Sequence, residues 1–145
     1  MAGSYQKILS KNDTGETPGH QAGIAVPKRD QELLDFLPAL DLATFNPDAW
    51  LSCIDPDGEK WKIRYIYYNG QTFDPPRSTR NEYRLTHTNS FMKKYDAKSG
   101  DILVMNATDS VGCYEFEIMK LTAGVKESSQ TYGDKIILRG WNKVY

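Results

Sequence analysis

The sequence predicts a mostly β domain of α+β type, with about seven strands in an antiparallel barrel or sandwich and one or two short helices. Three observations predict it. Turn-forming residues recur often, the apolar runs between them are short, and the crossover helices that successive parallel strands require are missing. Residues 5–9 read as a first strand. Residues 10–20 then string together eleven polar, Gly and Pro residues, more than a hairpin loop uses, so this segment reads as an arm. Residues 23–26 follow as a strand. Leu33, Leu34, Phe36, Leu37 and Leu40 repeat at helical spacing through residues 30–38, with Pro27 suited to a first turn and Pro38 as breaker. Residues 49–54 and 60–68 form a hairpin across the turn Asp55-Pro56-Asp57-Gly58, with one polar and one apolar face. Asn69-Gly70 and Asp74-Pro75-Pro76 open a second polar segment that leads into residues 77–86. A short helix over residues 89–95, capped by Asn89 or Ser90, and a tight turn at Lys98-Ser99-Gly100-Asp101 come next. Strands at 102–105, 113–119 and 135–139 complete the series.

With 145 residues the chain suits one domain, which at this size buries about two-thirds of its unfolded surface. The leading Met1-Ala2-Gly3-Ser4 reads as a cloning remnant and is set aside. A mean hydropathy of -0.60 with 39% hydrophobic residues describes a globular domain with ordinary core material, neither disordered nor fibrous. No apolar run approaches the roughly 18 residues of a membrane span, and the start lacks a signal peptide's apolar stretch, so a cytoplasmic location is expected. Cys53 and Cys113 have no second pair beside them, which fits buried thiols better than a disulfide framework or a zinc knuckle.

Enzyme signatures are missing. There is no phosphate-cradling GxxxxGK[ST], no GxGxxG after a strand, no HExxH and no GxSxG elbow. With His20 and His87 as the only histidines, a metal site would rest on carboxylates. A magnesium-dependent nuclease pattern can be laid over Pro47-Asp48 and Asp96-Ala97-Lys98, but Asp96 falls in a helix-to-turn segment rather than on a strand. Glu115 and Glu117 share one strand face, and an exposed sheet surface accounts for them without acid–base catalysis. No catalytic residue and no metal ligand is predicted, and a self-contained nuclease stands as the rival reading.

The net charge of -1 taken whole argues against a nucleic-acid or membrane partner, but its distribution argues otherwise. Residues 30–57 hold seven acids and no Lys or Arg, so the remainder sets eighteen basic residues against twelve acidic ones. Within that remainder Arg77, Arg80, Arg84, Lys93, Lys94 and Lys98 face only Glu82 and Asp96. Arginine forks match guanine O6 and N7, asparagine matches adenine, and a carboxylate accepts from the cytosine amino group. Arg80, Glu82 and Arg84 fall on one face of an extended segment, as base readers would. An exposed strand with cross-strand ion pairs explains the same pattern. His20, at the end of the first arm, is either a phosphate or base contact or a turn residue that orders its loop. Tyr65, Tyr67 and Tyr68 form either a base-stacking platform for single strands or half-buried strand aromatics.

Two long motifs carry a resemblance across roughly residues 5 to 105. The first is Leu9-Ser10-x-Asn12-Asp13-Thr14-Gly15 running to Gly19-His20-Gln21. The second is Ile66-Tyr67-Tyr68-Asn69, then Phe73 and Thr79-Arg80-Asn81-Glu82-x-Arg84-x-Thr86. With them the chain resembles the N-terminal effector domain of the EcoRII restriction endonuclease family, to which UbaLAI is related. Asn89-Ser90-Phe91 through Gly100-Asp101-Ile102-Leu103-Val104 is also similar to the Phe and Gly-Asp signature of plant transcription factors that share this DNA-binding pseudobarrel.

The resemblance implies a seven-stranded open barrel that grips double-stranded DNA with two arms in the major groove. N-arm contacts would come from Lys7, from Lys11, Asn12, Asp13 and Thr14, and from His20 and Gln21. C-arm contacts would come from Arg77, Ser78, Arg80, Asn81, Glu82, Tyr83 and Arg84. Ser78 and Tyr83 stand where the family's domain has lysines, so phosphate anchoring there is expected to be weaker or to come from Arg77. The implied target is a CC(A/T)GG-like site, and the implied role is that of a monomeric, non-catalytic effector domain in a type IIE-like restriction endonuclease of a prokaryote. The catalytic nuclease domain of such a parent chain, and the magnesium it uses, would lie outside these residues; the domain itself is expected to need no cofactor.

Overall fold

Apolar side chains alternate along the strands and turn one face inward. Along the seventh strand Tyr114, Phe116 and Ile118 are buried while Glu115 and Glu117 are exposed. The computed structural model describes residues 3–16, 23–120 and 140–144. Its strands are β1 (Ser4–Ile8), β2 (Ile24–Val26), β3 (Asp48–Ile54), β4 (Lys60–Tyr68), β5 (Glu82–Thr86), β6 (Ile102–Ala107), β7 (Cys113–Met119) and β8 (Trp141–Lys143). Three short helices, α1 (Lys11–Thr14), α2 (Gln31–Phe36) and α3 (Asn89–Lys94), and a 3-10 turn at Gly70–Thr72 accompany them. The fold is the expected mostly β barrel. Eight strands rather than seven are present among the described residues, because Trp141–Lys143 pairs with β1. The strand expected at residues 135–139 lies outside them.

One sheet runs in the order β2-β5-β4-β3-β7-β6-β1-β8. Every neighbouring pair is antiparallel except β3 and β7, which run parallel with Ser52 opposite Cys113. A wholly antiparallel sheet was the expectation. The exception arises because β7 returns only after β4, β5, α3 and β6, a connection long enough for a parallel partner. The two edges of the sheet, β2 and β8, share no ladder in this order, yet Trp141 Nε1 donates to the Ala25 carbonyl oxygen at 2.9 Å across the seam. Among the described residues the barrel is thus open in its backbone pairing, and the indole of Trp141 latches it.

Its interior holds Tyr65, Phe91, Phe116, Leu33, Leu51 and Ile63, all essentially without solvent exposure. Phe91 meets Trp61, Tyr95 and Phe116 in tilted or edge-on ring contacts. Such pairs contribute about 0.5–1.5 kcal/mol each beyond the area they bury. The Cys53 thiol is buried and burial pushes its pKa up to about 12, in line with an inert core cysteine.

Local signals account for the helix limits. Asp30 caps α2 by accepting from Leu33 N at 3.1 Å, so the helix starts at Gln31, well after Pro27, and ends where Leu37 becomes extended. Ser10 caps α1 in a reciprocal box with Asp13, and Gly15 ends it in the left-handed region at φ 85°. A helical turn therefore stands where a loop of turn formers was expected. Gly3 and Ser4, set aside as a remnant, belong to the sheet: Ala107 N donates to Gly3 O at 2.9 Å, and Ser4 Oγ donates to Asn106 Oδ1 at 2.6 Å.

Candidate nucleic-acid interface

Both polar arms lead into the same ladder. The first arm joins β1 to β2, the second joins β4 to β5, and β2 pairs with β5 from Ile24 opposite Leu85 to Val26 opposite Tyr83. Because that pair is antiparallel, the arms arrive at opposite ends of β5. At about 3.4 Å per residue its five residues separate the two arms by about 15 Å. The outward side chains of β5 lie between them.

Period-2 alternation decides which residues those are. Leu85 is fully buried, so Tyr83 points to the same inner side and stacks on Tyr67 at 4.2 Å and on Tyr65 at 5.8 Å between ring centroids. Tyr83, expected among the contact residues, therefore supports the strand from within. Glu82 and Arg84 face outward with Arg80. Arg84 Nε donates to Glu82 Oε2 at 2.7 Å and Arg80 Nη2 donates to the same oxygen at 3.1 Å. Arg84 also reaches the Gly23 carbonyl oxygen at 3.4 Å, at the foot of the first arm. Burial alone would raise the Glu82 carboxyl; the hydrogen bonds from Arg84 and Arg80 outweigh it and hold its pKa below the usual carboxylate range. The result is a row in which one carboxylate aligns two guanidinium forks.

The second arm is braced at its base. A Cβ on Gly70 would lie 2.2 Å from Ser78 Oγ, so only glycine allows the arm to fold back there, and Arg77 N closes the fold on Gly70 O at 2.9 Å. Ser78 Oγ accepts from Arg80 N at 3.3 Å. Arg77 lies over the rings of Phe45 at 4.8 Å and Phe73 at 5.1 Å, tying the arm to the loop before β3. That loop is itself organised by fully buried Asn69, whose side chain exchanges hydrogen bonds with Asn46 N, Leu42 O and Thr44 O. Asn81 Oδ1 accepts from the Tyr67 hydroxyl. Arg80 itself stacks on Tyr68, its guanidinium carbon 3.6 Å from the ring centroid. Sequence reasoning missed this pair, although Tyr68 and Glu82 are opposite one another in the β4–β5 register.

In the first arm, Lys7 Nζ donates to Asp13 Oδ2 at 2.6 Å, and Asp13 is only 4% exposed. The Asp13 carboxylate also accepts from Ser10 N at 2.9 Å. Thr14 Oγ1 is engaged with Lys11 O and with Glu16 Oε1, and Glu16 in turn accepts from Ser99 N at 2.8 Å. Asp13 and Thr14, expected as contacts, have their polar groups occupied in holding the arm's shape. Lys11 is exposed on α1 and Asn12 half-buried beside it. The Ser-x-x-Asp spacing at Ser10 was the available signal for this turn. His20 and Gln21 lie outside the described residues.

Other residues singled out in the sequence part ways with the arms. Tyr65 and Tyr67 are core residues, which removes them from a stacking platform. Lys94, grouped with the basic segment, binds Asp55 at 2.7 Å, Glu59 at 3.0 Å and Asp57 at 3.1 Å under the β3–β4 turn. Asp48 is bound to Arg64 at 2.6 Å, whereas Asp96 lies in an exposed turn beside Lys98 at 3.3 Å. These acids keep separate partners, and no group of three or more His, Cys, Asp or Glu suited to a metal occurs among the described residues. Among them, too, no helix is long and apolar enough to cross a membrane.

An open barrel with two arms bracketing an arginine-bearing strand places the protein in the pseudobarrel class. The chain belongs to the family described as restriction endonuclease EcoRII, N-terminal, whose model matches residues 2–127. It is 40% identical over 90 residues to the type II restriction enzyme EcoRII of Escherichia coli, a stretch that covers 57% of this chain and 20% of that protein. The matched part is thus about a fifth of the relative's length. In fold the chain is similar to Arabidopsis FUS3, solved as a DNA complex, with a TM-score of 0.57 at 22% identity over 79% of this chain and 94% of that one. It is also similar to the N-terminal domain of LlaJI.R1 from Helicobacter pylori, with a TM-score of 0.55 at 13% identity over 100% and 98% of the two chains.

Proposed function

We propose that this domain recognises double-stranded DNA sequence-specifically and serves, without catalysing cleavage, as the effector domain of a cytoplasmic prokaryotic restriction endonuclease. One observation carries the reading: the outward row Arg80, Glu82 and Arg84 runs from the end of the second arm along β5, whose length sets the feet of the two arms about 15 Å apart. A major groove is about 12 Å wide, and a strand or ribbon can enter it. Arg80 and Arg84 present forks to guanine, and Glu82 accepts from a cytosine amino group while keeping both arginines aligned. Family membership, the restriction enzyme among the relatives and the DNA complex of the FUS3 domain support the same reading.

In this arrangement Lys11 and Asn12 on α1, with His20 and Gln21 further along the arm, meet one half of the site, and Asn81 with the arginine row meets the other. Lys7 acts through Asp13 to fix the arm. Arg77 and Ser78 shape the second arm, which changes the expectation that Arg77 supplies the missing phosphate anchor. Two arms on one barrel span a nearly symmetric site, CC(A/T)GG-like, as a monomer. The domain needs no cofactor; the nuclease domain of the parent enzyme supplies cleavage and the magnesium it requires. Gel-shift titration of a CC(A/T)GG duplex against a scrambled one tests this. Arg80→Ala should weaken cognate binding by about 1–3 kcal/mol and erode discrimination at one base pair. Unchanged cognate and scrambled affinities would sink the proposal, as would plasmid cleavage by the isolated chain with magnesium.

A further inference from the structure

We propose that Tyr68 is a positioning residue for sequence discrimination: its ring is the platform that fixes the plane of the Arg80 guanidinium. The inference rests on the reading of Arg80 as a base reader and goes beyond it by assigning a role to a residue outside the charged row.

The geometry comes from the register. Tyr68 ends β4 on its outer face and is paired with Glu82 of β5. Arg80 precedes Glu82 by two residues on the same face, so its side chain can turn back over Tyr68, and it does so with its guanidinium carbon 3.6 Å from the ring centroid. Glu82 Oε2 holds one edge of the same guanidinium at 3.1 Å. The ring face stops the guanidinium from tilting and the carboxylate stops it from swinging along the strand. An arginine left free on a surface arm samples many rotamers and surrenders that freedom on binding; one already held flat surrenders less. A bidentate contact to guanine O6 and N7 needs a fixed plane, whereas a phosphate contact tolerates many orientations. Loss of the platform therefore falls on discrimination rather than on general DNA affinity. The neighbouring Tyr67 faces inward and engages Tyr83 and Asn81, so the two adjacent tyrosines of this motif have separate tasks.

The test is a double-mutant cycle on the cognate-to-scrambled affinity ratio, measured with a CC(A/T)GG duplex and its scrambled counterpart. Tyr68→Leu should lower that ratio about tenfold, and Tyr68→Phe, which keeps the ring face, should restore it to within about twofold of wild type. In an Arg80→Ala background Tyr68→Leu should change the ratio by less than about twofold, because the residue it positions is gone. Thermal unfolding of each variant checks that the barrel is intact; if Tyr68→Leu unfolds, Tyr68→Thr, which suits a strand and lacks the ring, takes its place and should lose discrimination in the same way while Tyr68→Phe keeps it. A ratio for Tyr68→Leu equal to wild type, or an equal loss with and without Arg80, overturns the assignment while leaving the proposed function standing. An Arg80→Ala protein that discriminates like wild type overturns both.

Discussion

Two acid–base clusters sit on this barrel, and they use the same chemistry for opposite ends. In the β5 row one carboxylate, Glu82, aligns two arginines and keeps 36% of its side chain exposed. Under the β3–β4 turn one lysine, Lys94, gathers three acids, Asp55, Asp57 and Glu59, of which Asp55 has its side chain wholly buried. Asp55 accepts from Asp57 N, Glu59 N, Trp61 Nε1 and Lys94, so it ties a turn to a helix. Burial alone would raise the Asp55 carboxyl, but its hydrogen bonds, led by that from Lys94, hold it well below the usual carboxylate range. The difference lies in the central carboxylate: that of Glu82 stays partly open to solvent while that of Asp55 is sealed, although Arg84 in the row is less exposed than Lys94, Asp57 or Glu59 in the knot.

The largest test of that contrast falls on the knot. Asp55→Ala leaves Lys94 and the turn amides without their shared acceptor and should cost about 3 kcal/mol of stability, a fall of about 9 °C in melting temperature, with base discrimination retained. The pH dependence has a definite sign. Because the folded carboxyl is depressed, the Asp55 contribution is complete above about pH 4, the unfolded value, and is lost as pH falls through the folded one. The melting gap between wild type and Asp55→Asn should therefore narrow below about pH 4; a gap that widens on acidification contradicts the assignment. Next in size, Arg84→Ala should cost about 2 kcal/mol of cognate binding in gel shifts, with a smaller fall in melting temperature than Asp55→Ala. Glu82→Gln should cost about 1 kcal/mol of cognate affinity, since it loosens both arginines without emptying the row. Smallest, Lys93→Ala should weaken cognate and scrambled duplexes alike by about 0.5 kcal/mol and lower the salt slope by about 0.9, whereas Lys94→Ala should lower stability and leave that slope unchanged.

The barrel, both arms and the Arg80–Glu82–Arg84 face were legible in sequence because alternation and turn chemistry are local properties. The distinction between Lys93 and Lys94 was not, since Lys94 is claimed by Asp55 from 39 positions away. Tyr83 entered the expected contacts through the family's motif, where a lysine stands, whereas the parity it shares with buried Leu85 turns it inward. Asp13 and Thr14 looked like free polar groups until the capping box and Glu16 occupied them. The parallel β3–β7 pair and the eighth strand depend on chain closure, which no local pattern encodes.

The indole of Trp141 has a mechanical consequence for the first arm. β2 is three residues long, hinged to β5 on one side and, among the described residues, held on the other by a side-chain bond to Ala25. A three-residue ladder with such a clasp opens locally more readily than the longer β3–β4 ladder, without disturbing the aromatic interior. Amide exchange in β2 should accordingly outpace that in β4, and Trp141→Phe, which keeps the ring and deletes the N–H, should quicken it further. The strand at the end of the first arm is thus a gate whose bolt lies 116 residues along the chain.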